Sequence, residues 1–402
     1  MRNKNLILAR TSKNDEFYTQ YSDIEAEINA YIEYNPDVFR NKTILLPCDD
    51  PEWSNFTKYF ASNFERFGLK KLISTSYAKG AGNRQLTLFE ANSPLYNEQL
   101  HETRGKLFTL THDTNGSGNI DTDDIVFSGY LEGDGDFRSE EVRKLRDEAD
   151  IIITNPPFSL FREFLAWILE GGKQFVIIGS KNAITYKDVF PFLKENKIWL
   201  GPDFSGGNAY FRISPEDSRD FANGVYDEAA GLVKFRNVGW FTNIDHGKRH
   251  ELLLLDTMEH NLKFNKNLIK KMMKNYGSVE YLHYDNYDAI EVLLTECIPS
   301  DYDGVMGVPI TFLDKYNPEQ FEITGITLGN TVNFPMTCLY KNAIQHNKDG
   351  STQGGSKVNT RAAVRVSEKP INTVYYTADN ADGYLLSIYP RILIRPKKGG
   401  NA

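Results

Sequence analysis

The sequence predicts an α/β protein: a doubly wound, Rossmann-like sheet, followed by a smaller mixed domain. Three observations carry that expectation. The apolar runs 43–47 and 71–77 flank an amphipathic helix with Phe56, Tyr59, Phe60, Phe64 and Phe67 on one side. The apolar runs Ile151-Ile152-Ile153 and Phe175-Val176-Ile177-Ile178 flank a second helix marked by Phe161, Phe164, Leu165 and Ile168. Strand–helix–strand repeats build parallel sheets whose ligands sit at the carboxyl ends of the strands. Finally, 402 residues exceed what one hydrophobic core holds, and the weaker periodicity of the second half divides the chain at 1–250 and 251–402.

Composition sets the class. Hydrophobic content of 40% and charged content of 25% are those of a soluble globular protein. No run of eighteen apolar residues occurs, and Met1-Arg2-Asn3-Lys4 leads into no signal-peptide core, so the expected location is the cytoplasm, away from membranes. Cys48, Cys297 and Cys338 are odd in number and far apart, which excludes a disulfide framework and a paired-cysteine zinc site. The net charge of −8 hides an asymmetry: residues 332–402 carry ten Lys and Arg against four Asp and Glu.

The amino-terminal segment Phe17-Tyr18-Thr19-Gln20 precedes a short helix with Ile24, Ile28 and Tyr31 on one face. The first strand breaks into Pro47-Cys48-Asp49-Asp50-Pro51, a loop without the Gly-x-Gly of most nucleotide binders. The second strand ends in Ser74-Thr75-Ser76 and supplies no carboxylate for a ribose, which leaves Asp49 or Asp50 for that role; Asp50 reads equally as a turn residue. Residues 78–128 read as an insertion. Within it, Asp113 to Asp124 matches the ligand spacing of a calcium loop, but the flanks read as strands and the glycines as hairpin tips, so no metal is expected.

The stretch with most chemistry is Asn155-Pro156-Pro157-Phe158, directly behind the buried strand of Ile151–Ile153. Proline fixes its own φ and holds the preceding residue extended, so the Asn155 side-chain oxygen and the Pro156 carbonyl form a stiff pair of acceptors beneath an aromatic plate, Phe158. That arrangement suits a planar exocyclic amine and points to methyl transfer onto the amino group of a nucleobase. A Pro47-Cys48 pair would suit nucleophilic attack on a cytosine ring carbon, but the catalytic turn lies elsewhere and the nucleophile reading is rejected.

In the second half, residues 231–235 and 238–242 read as a hairpin that completes the sheet, with Trp240 or Phe241 a candidate to face the target base, although a place in the core suits each somewhat better. His246 and His250 lack a third ligand for zinc. A helical pattern over 261–278 carries Lys263, Lys266, Lys270, Lys271 and Lys274 without an acid, and a polar, glycine-rich stretch runs from Asn347 to Lys357. Basic groups gathered on an otherwise acidic protein point to phosphate, and Trp240, Lys270, Lys274, Lys357, Arg361 and Arg365 are the candidate DNA contacts.

Taken in order, Phe17-Tyr18-Thr19-Gln20, Cys48-Asp49-Asp50-Pro51, Gly135-Asp136-Phe137-Arg138-Ser139 and Asn155-Pro156-Pro157-Phe158 resemble the EcoRI DNA adenine methyltransferase family. The stretch from Val308 to Pro318 is also similar to that group, and the resemblance spans roughly residues 10 to 395. It implies an S-adenosylmethionine-dependent enzyme that methylates N6 of adenine in double-stranded DNA after flipping the base. It implies cofactor contacts from Phe17, Tyr18, Thr19, Pro47, Cys48, Asp49, Asp50, Asp136 and Phe137, catalysis by Asn155, Pro156, Pro157 and Phe158, and no metal. Such enzymes stand alone or beside a separate restriction endonuclease; a monomer is expected here. The rivals are methylation of the cytosine amine, methylation of RNA or of protein glutamine, which the basic carboxyl-terminal half disfavours, and a catalytically silent DNA-binding or anti-restriction protein.

Overall fold

The computed structural model describes residues 18–78, 89, 93–202, 204, 208–213, 224–329 and 334–397; Phe17 lies outside them. The chain forms two compact units, one from residues up to 183 with 198–247, the other from 184–197 with 248 onward.

In the first unit the main sheet contains β1 (Thr43–Leu46), β2 (Lys71–Ser76), β3 (Lys106–Leu110), β4 (Val126–Tyr130), β5 (Ile151–Thr154), β6 (Gln174–Ser180), β7 (Trp199–Leu200) and β8 (Val238–Thr242), in the order β4-β3-β2-β1-β5-β6-β8-β7. The four central strands β2, β1, β5 and β6 are parallel. β1 and β5 are buried at every position, as continuous apolar runs must be when both faces of a parallel sheet are covered. Four helices do the covering: α1 (Tyr21–Tyr34), α2 (Asn55–Ser62), α3 (Glu140–Glu148) and α4 (Phe161–Glu170). α1 and α2 bury Ile24, Ile28, Tyr31, Phe56, Tyr59 and Phe60 in one core with Ile44, Leu46, Ile151, Ile153 and Val176. Full burial of each such side chain contributes about 1.5–3 kcal/mol. On the opposite face, Phe161 of α4 packs on Phe241 of β8 at 5.0 Å between centroids. A Cβ on Gly179 would stand 2.2 Å from the Phe161 ring, so this contact requires glycine there.

Two placements differ from the sequence reading. β3 and β4, from the segment read as an insertion, extend the main sheet beyond β2 as an antiparallel hairpin. The predicted 231–242 hairpin does not form. β8 joins β6 in the main sheet, whereas Leu232–Arg236 joins a separate four-stranded sheet with Tyr18–Thr19, Asn208–Arg212 and Tyr226–Asp227. Between them Asn237 turns the chain with φ +64°, a left-handed conformation that asparagine tolerates, and its carbonyl accepts from Lys181 N–H at 2.8 Å.

The second unit holds a four-stranded sheet (Ile290–Glu291, Met306–Pro309, Arg391–Pro396, Phe321–Ile326) and a five-stranded antiparallel sheet over residues 344–387. The lysine-rich segment forms α5 (Met258–Phe264) and α6 (Lys266–Tyr276). α6 buries Leu268 and Met272 against Leu293 and Cys297, ends at the left-handed Gly277, and leaves Lys266, Lys270, Lys271 and Lys274 exposed. The glycine-rich stretch forms a hairpin, Ile344–His346 with Thr352–Gly354, that turns at Gly350 with φ +84°. Among the described residues no helix is long and apolar enough to cross a membrane.

Candidate active site

The Asn155–Phe158 turn leaves the carboxyl end of β5. Pro156 is buried, while Asn155, Pro157 and Phe158 are half-buried, so the turn is fixed from below and reachable from one side. The Phe158 ring meets Phe211 and Phe235 edge-on at 6.1 and 5.8 Å, and those two rings meet each other at 5.5 Å. Both partners stand on the four-stranded sheet, which therefore walls the turn with aromatic surface. Sequence reasoning missed Phe211 and Phe235; strand alternation around Phe235 was the available signal.

The same sheet brings the amino-terminal motif to this place. Thr19 pairs with Phe211, so its side chain shares the face that packs toward Phe158; Tyr18 pairs with Arg212 on the other face. Thr19 is buried, its carbonyl accepts from Asn55 Nδ2 at 2.7 Å near the start of α2, and its Oγ1 has no hydrogen-bond partner among the described residues.

At the end of β1, Cys48 has φ +69°, the left-handed turn that glycine makes in ordinary nucleotide loops, and its N–H donates to Thr75 Oγ1 at 3.2 Å. Pro47 and Asp49 are buried. The Asp49 carboxylate accepts from Ser54 at 2.7 Å and Thr154 at 2.6 Å, which ties the end of β1 to the cap of α2 and the end of β5. The Asp50 carboxylate accepts from the Glu52 amide at 3.1 Å and its carbonyl from the Ser54 amide at 2.7 Å, so it organises the turn into α2. Glu52, which the sequence reading passed over, has a buried Oε2 without a hydrogen-bond partner among the described residues.

Across the strand ends, the loop 133–136 lies against β2. Gly135 has φ +88° and a Cβ there would be 2.5 Å from the Ser76 carbonyl, so the close approach needs glycine. Tyr77, also missed in the sequence, donates its hydroxyl to Asp134. Burial, then the Asp134 carboxylate, push the Tyr77 phenol above its ordinary pKa, and Asp136 and Cys48 add to the shift. Asp136 itself is clamped by Arg138 at 2.9 and 2.6 Å. Phe137 is buried with its ring 5.0 Å from Phe164 and 5.7 Å from Trp167, facing α4.

The candidate DNA contacts separate. Trp240 is corrected: it is 1% exposed, stacked on Phe204 at 5.3 Å, and belongs to the core rather than to a DNA surface. Lys270, Lys274 and Lys357 are exposed. Arg361 lies over the ring of the exposed Tyr389 at 5.6 Å. Arg365 is engaged by Asp285 at 2.6 Å, so its charge is already matched. In the Asp113–Asp124 loop, Asp113 accepts from the amides of Gly116, Ser117 and Gly118, and Asp124 from those of Thr114, Asn115 and Asp121. Among the described residues no group of His, Cys, Asp and Glu is arranged to hold a metal ion.

Residues 5–397 match the family model described as adenine-specific methyltransferase EcoRI. The chain is 43% identical to the type II methyltransferase M.EcoRI of Escherichia coli over 80% of its length and 88% of the relative's. It is 34% identical to the type II methyltransferase M.MgeORF184P of Mycoplasma genitalium, over 78% of the chain and 84% of the relative. With M.MpnI of Mycoplasma pneumoniae the identity is 31%, over 78% and 83%. No solved structure matches.

Proposed function

The chain belongs to the EcoRI family of adenine-specific methyltransferases and is a type II DNA methyltransferase; from that premise we propose that it methylates a flipped adenine at the Asn155–Phe158 turn, with S-adenosylmethionine as donor. Membership of an adenine-specific family decides between the adenine amine and its cytosine rival. We read the main sheet and its helices as the doubly wound methyltransferase fold, and the unit from residue 248 onward as the part that recognises DNA.

The observation that carries this reading is the aromatic enclosure of Phe158 by Phe211 and Phe235 beside a rigid acceptor pair. The Asn155 oxygen and the Pro156 carbonyl accept the two hydrogens of the adenine amine, which turns its lone pair out of the ring plane. Phe158 stacks on the base, and Phe211 and Phe235 exclude water. No strong general base is needed; alignment supplies much of the rate. When bound, S-adenosylmethionine supplies an electrophilic methyl on a good leaving group. Residues here fit it: among the described residues Thr19 Oγ1 and Glu52 Oε2 are buried without hydrogen-bond partners, Cys48 makes the sharp turn, and Tyr77 offers a ring at the end of β2. Thr19 sits on the sheet that walls Phe158, which supports seating the methionine end of the cofactor beside the base.

In B-form DNA the adenine amine lies in the plane of its pair, out of line with a donor at the strand ends, so the base leaves the stack at a cost of a few kcal/mol. A 2-aminopurine at the target position brightens on binding, and Phe158→Ala brightens it further by removing a quencher. Unchanged fluorescence in both proteins, with binding verified, contradicts flipping.

A further inference from the structure

We infer that Glu52 is the carboxylate that holds the ribose hydroxyls of the cofactor, an assignment that rests on the S-adenosylmethionine reading above. A buried carboxylate oxygen without a donor calls for an explanation, and Glu52 Oε2 is such an oxygen among the described residues. The other acids of these strand-end loops have donors. Both Asp49 oxygens accept hydroxyls, Asp50 accepts the Glu52 amide, Asp134 accepts the Tyr77 hydroxyl and the Asp136 amide, and both Asp136 oxygens face Arg138.

Position selects the ligand group. Glu52 lies in the loop from β1 to α2, and Lys106 is close enough to act on its charge. Lys106 is the cross-strand partner of Ser76, the last residue of β2. Glu52 thus lies within electrostatic range of a residue paired with the end of β2, where Ser74-Thr75-Ser76 supplies no carboxylate. A vicinal diol presents two parallel O–H donors, which match the two oxygens of one carboxylate. Burial first, and Asp50 second, hold the Glu52 carboxyl above its ordinary pKa against the opposing pull of Lys106 and Lys58, so hydrogen-bond donors from a ligand would offset lost solvation. The ammonium of the cofactor is the competing donor, and the experiment distinguishes the two.

Calorimetry of wild type and Glu52→Gln with S-adenosylhomocysteine, its 2′,3′-dideoxy analogue and its desamino analogue reads the interaction directly. Wild type should lose about tenfold in affinity when the hydroxyls are removed, and Glu52→Gln should lose about as much with the parent ligand. In Glu52→Gln, removing the hydroxyls should change little further, while the desamino analogue should show the full effect of the substitution. Glu52→Asp, which keeps the charge, should retain part of the hydroxyl dependence and serves if Glu52→Gln does not fold. An equal hydroxyl effect in both proteins, or a coupling to the ammonium instead, overturns the assignment while leaving the cofactor reading intact. Wild type that does not bind S-adenosylhomocysteine overturns both.

Discussion

At the scale of single residues, Cys48 shows how this chain turns without the usual glycine. Its φ of +69° costs a non-glycine residue about 1–2 kcal/mol, and the amide bond to Thr75 helps hold it. Glycine at this position removes the steric cost but adds backbone entropy to the unfolded chain, so Cys48→Gly should leave stability within about 1 kcal/mol. Cys48→Val brings a β-branched side chain to a left-handed turn and should lower stability by about 1–3 kcal/mol. Thermal denaturation of the two variants checks the pair; equal midpoints would show that the turn is not strained. The sequence displayed the missing glycines, but no local pattern says that a cysteine adopts the left-handed turn. Asp49 and Asp50 looked like open cofactor ligands for a related reason: Thr154, which holds Asp49, is 105 residues away in the chain.

At the scale of elements, the small four-stranded sheet joins what the sequence keeps apart. It places Thr19 and Phe211 in one cross-strand pair and sets Phe211 and Phe235 against Phe158. Phe235→Leu nearly conserves volume, so the fold should persist with a loss below about 1.5 kcal/mol. Without the aromatic wall, methylation should slow by about tenfold while cofactor affinity holds. Single-turnover rates and calorimetry measure this, and an unchanged rate would remove the sheet from the base pocket. The buried runs of β1, β5 and β6 and the helices between them were legible because a parallel sheet leaves a continuous apolar record. The small sheet was not, because Tyr18–Thr19 pairs with Asn208–Arg212 far along the chain, and that strand in turn with Leu232–Arg236. Asn237 sends two adjacent strands into different sheets, and a period-2 pattern carries no trace of that choice.

At the scale of the whole molecule, charge is arranged so that an acidic chain can act on an acidic polymer. Exposed Lys270, Lys274 and Lys357 belong to the unit formed by 184–197 with 248 onward. Their joint replacement by glutamine should weaken DNA binding and lower the slope of log affinity against log salt by about one for each phosphate no longer neutralised. Arg365→Gln should behave differently: it leaves Asp285 with the Tyr340 hydroxyl but without its cation and should reduce stability more than the salt slope. If the triple variant keeps the wild-type slope, these lysines do not meet phosphate. The basic composition of this half was visible in the sequence; which cations are already matched inside the fold was not, because Asp285 and Arg365 meet only through tertiary pairing.

The most direct measurement is the single-turnover methylation rate of Asn155→Ala on DNA containing the recognition site, read as N6-methyladenine by mass spectrometry, with cofactor affinity measured on the same protein. If Asn155 serves the target amine and not the cofactor, as proposed, the rate should fall by at least about a hundredfold, while cofactor affinity stays near wild type. Methylation near the wild-type rate would contradict catalysis at the Asn155–Phe158 turn.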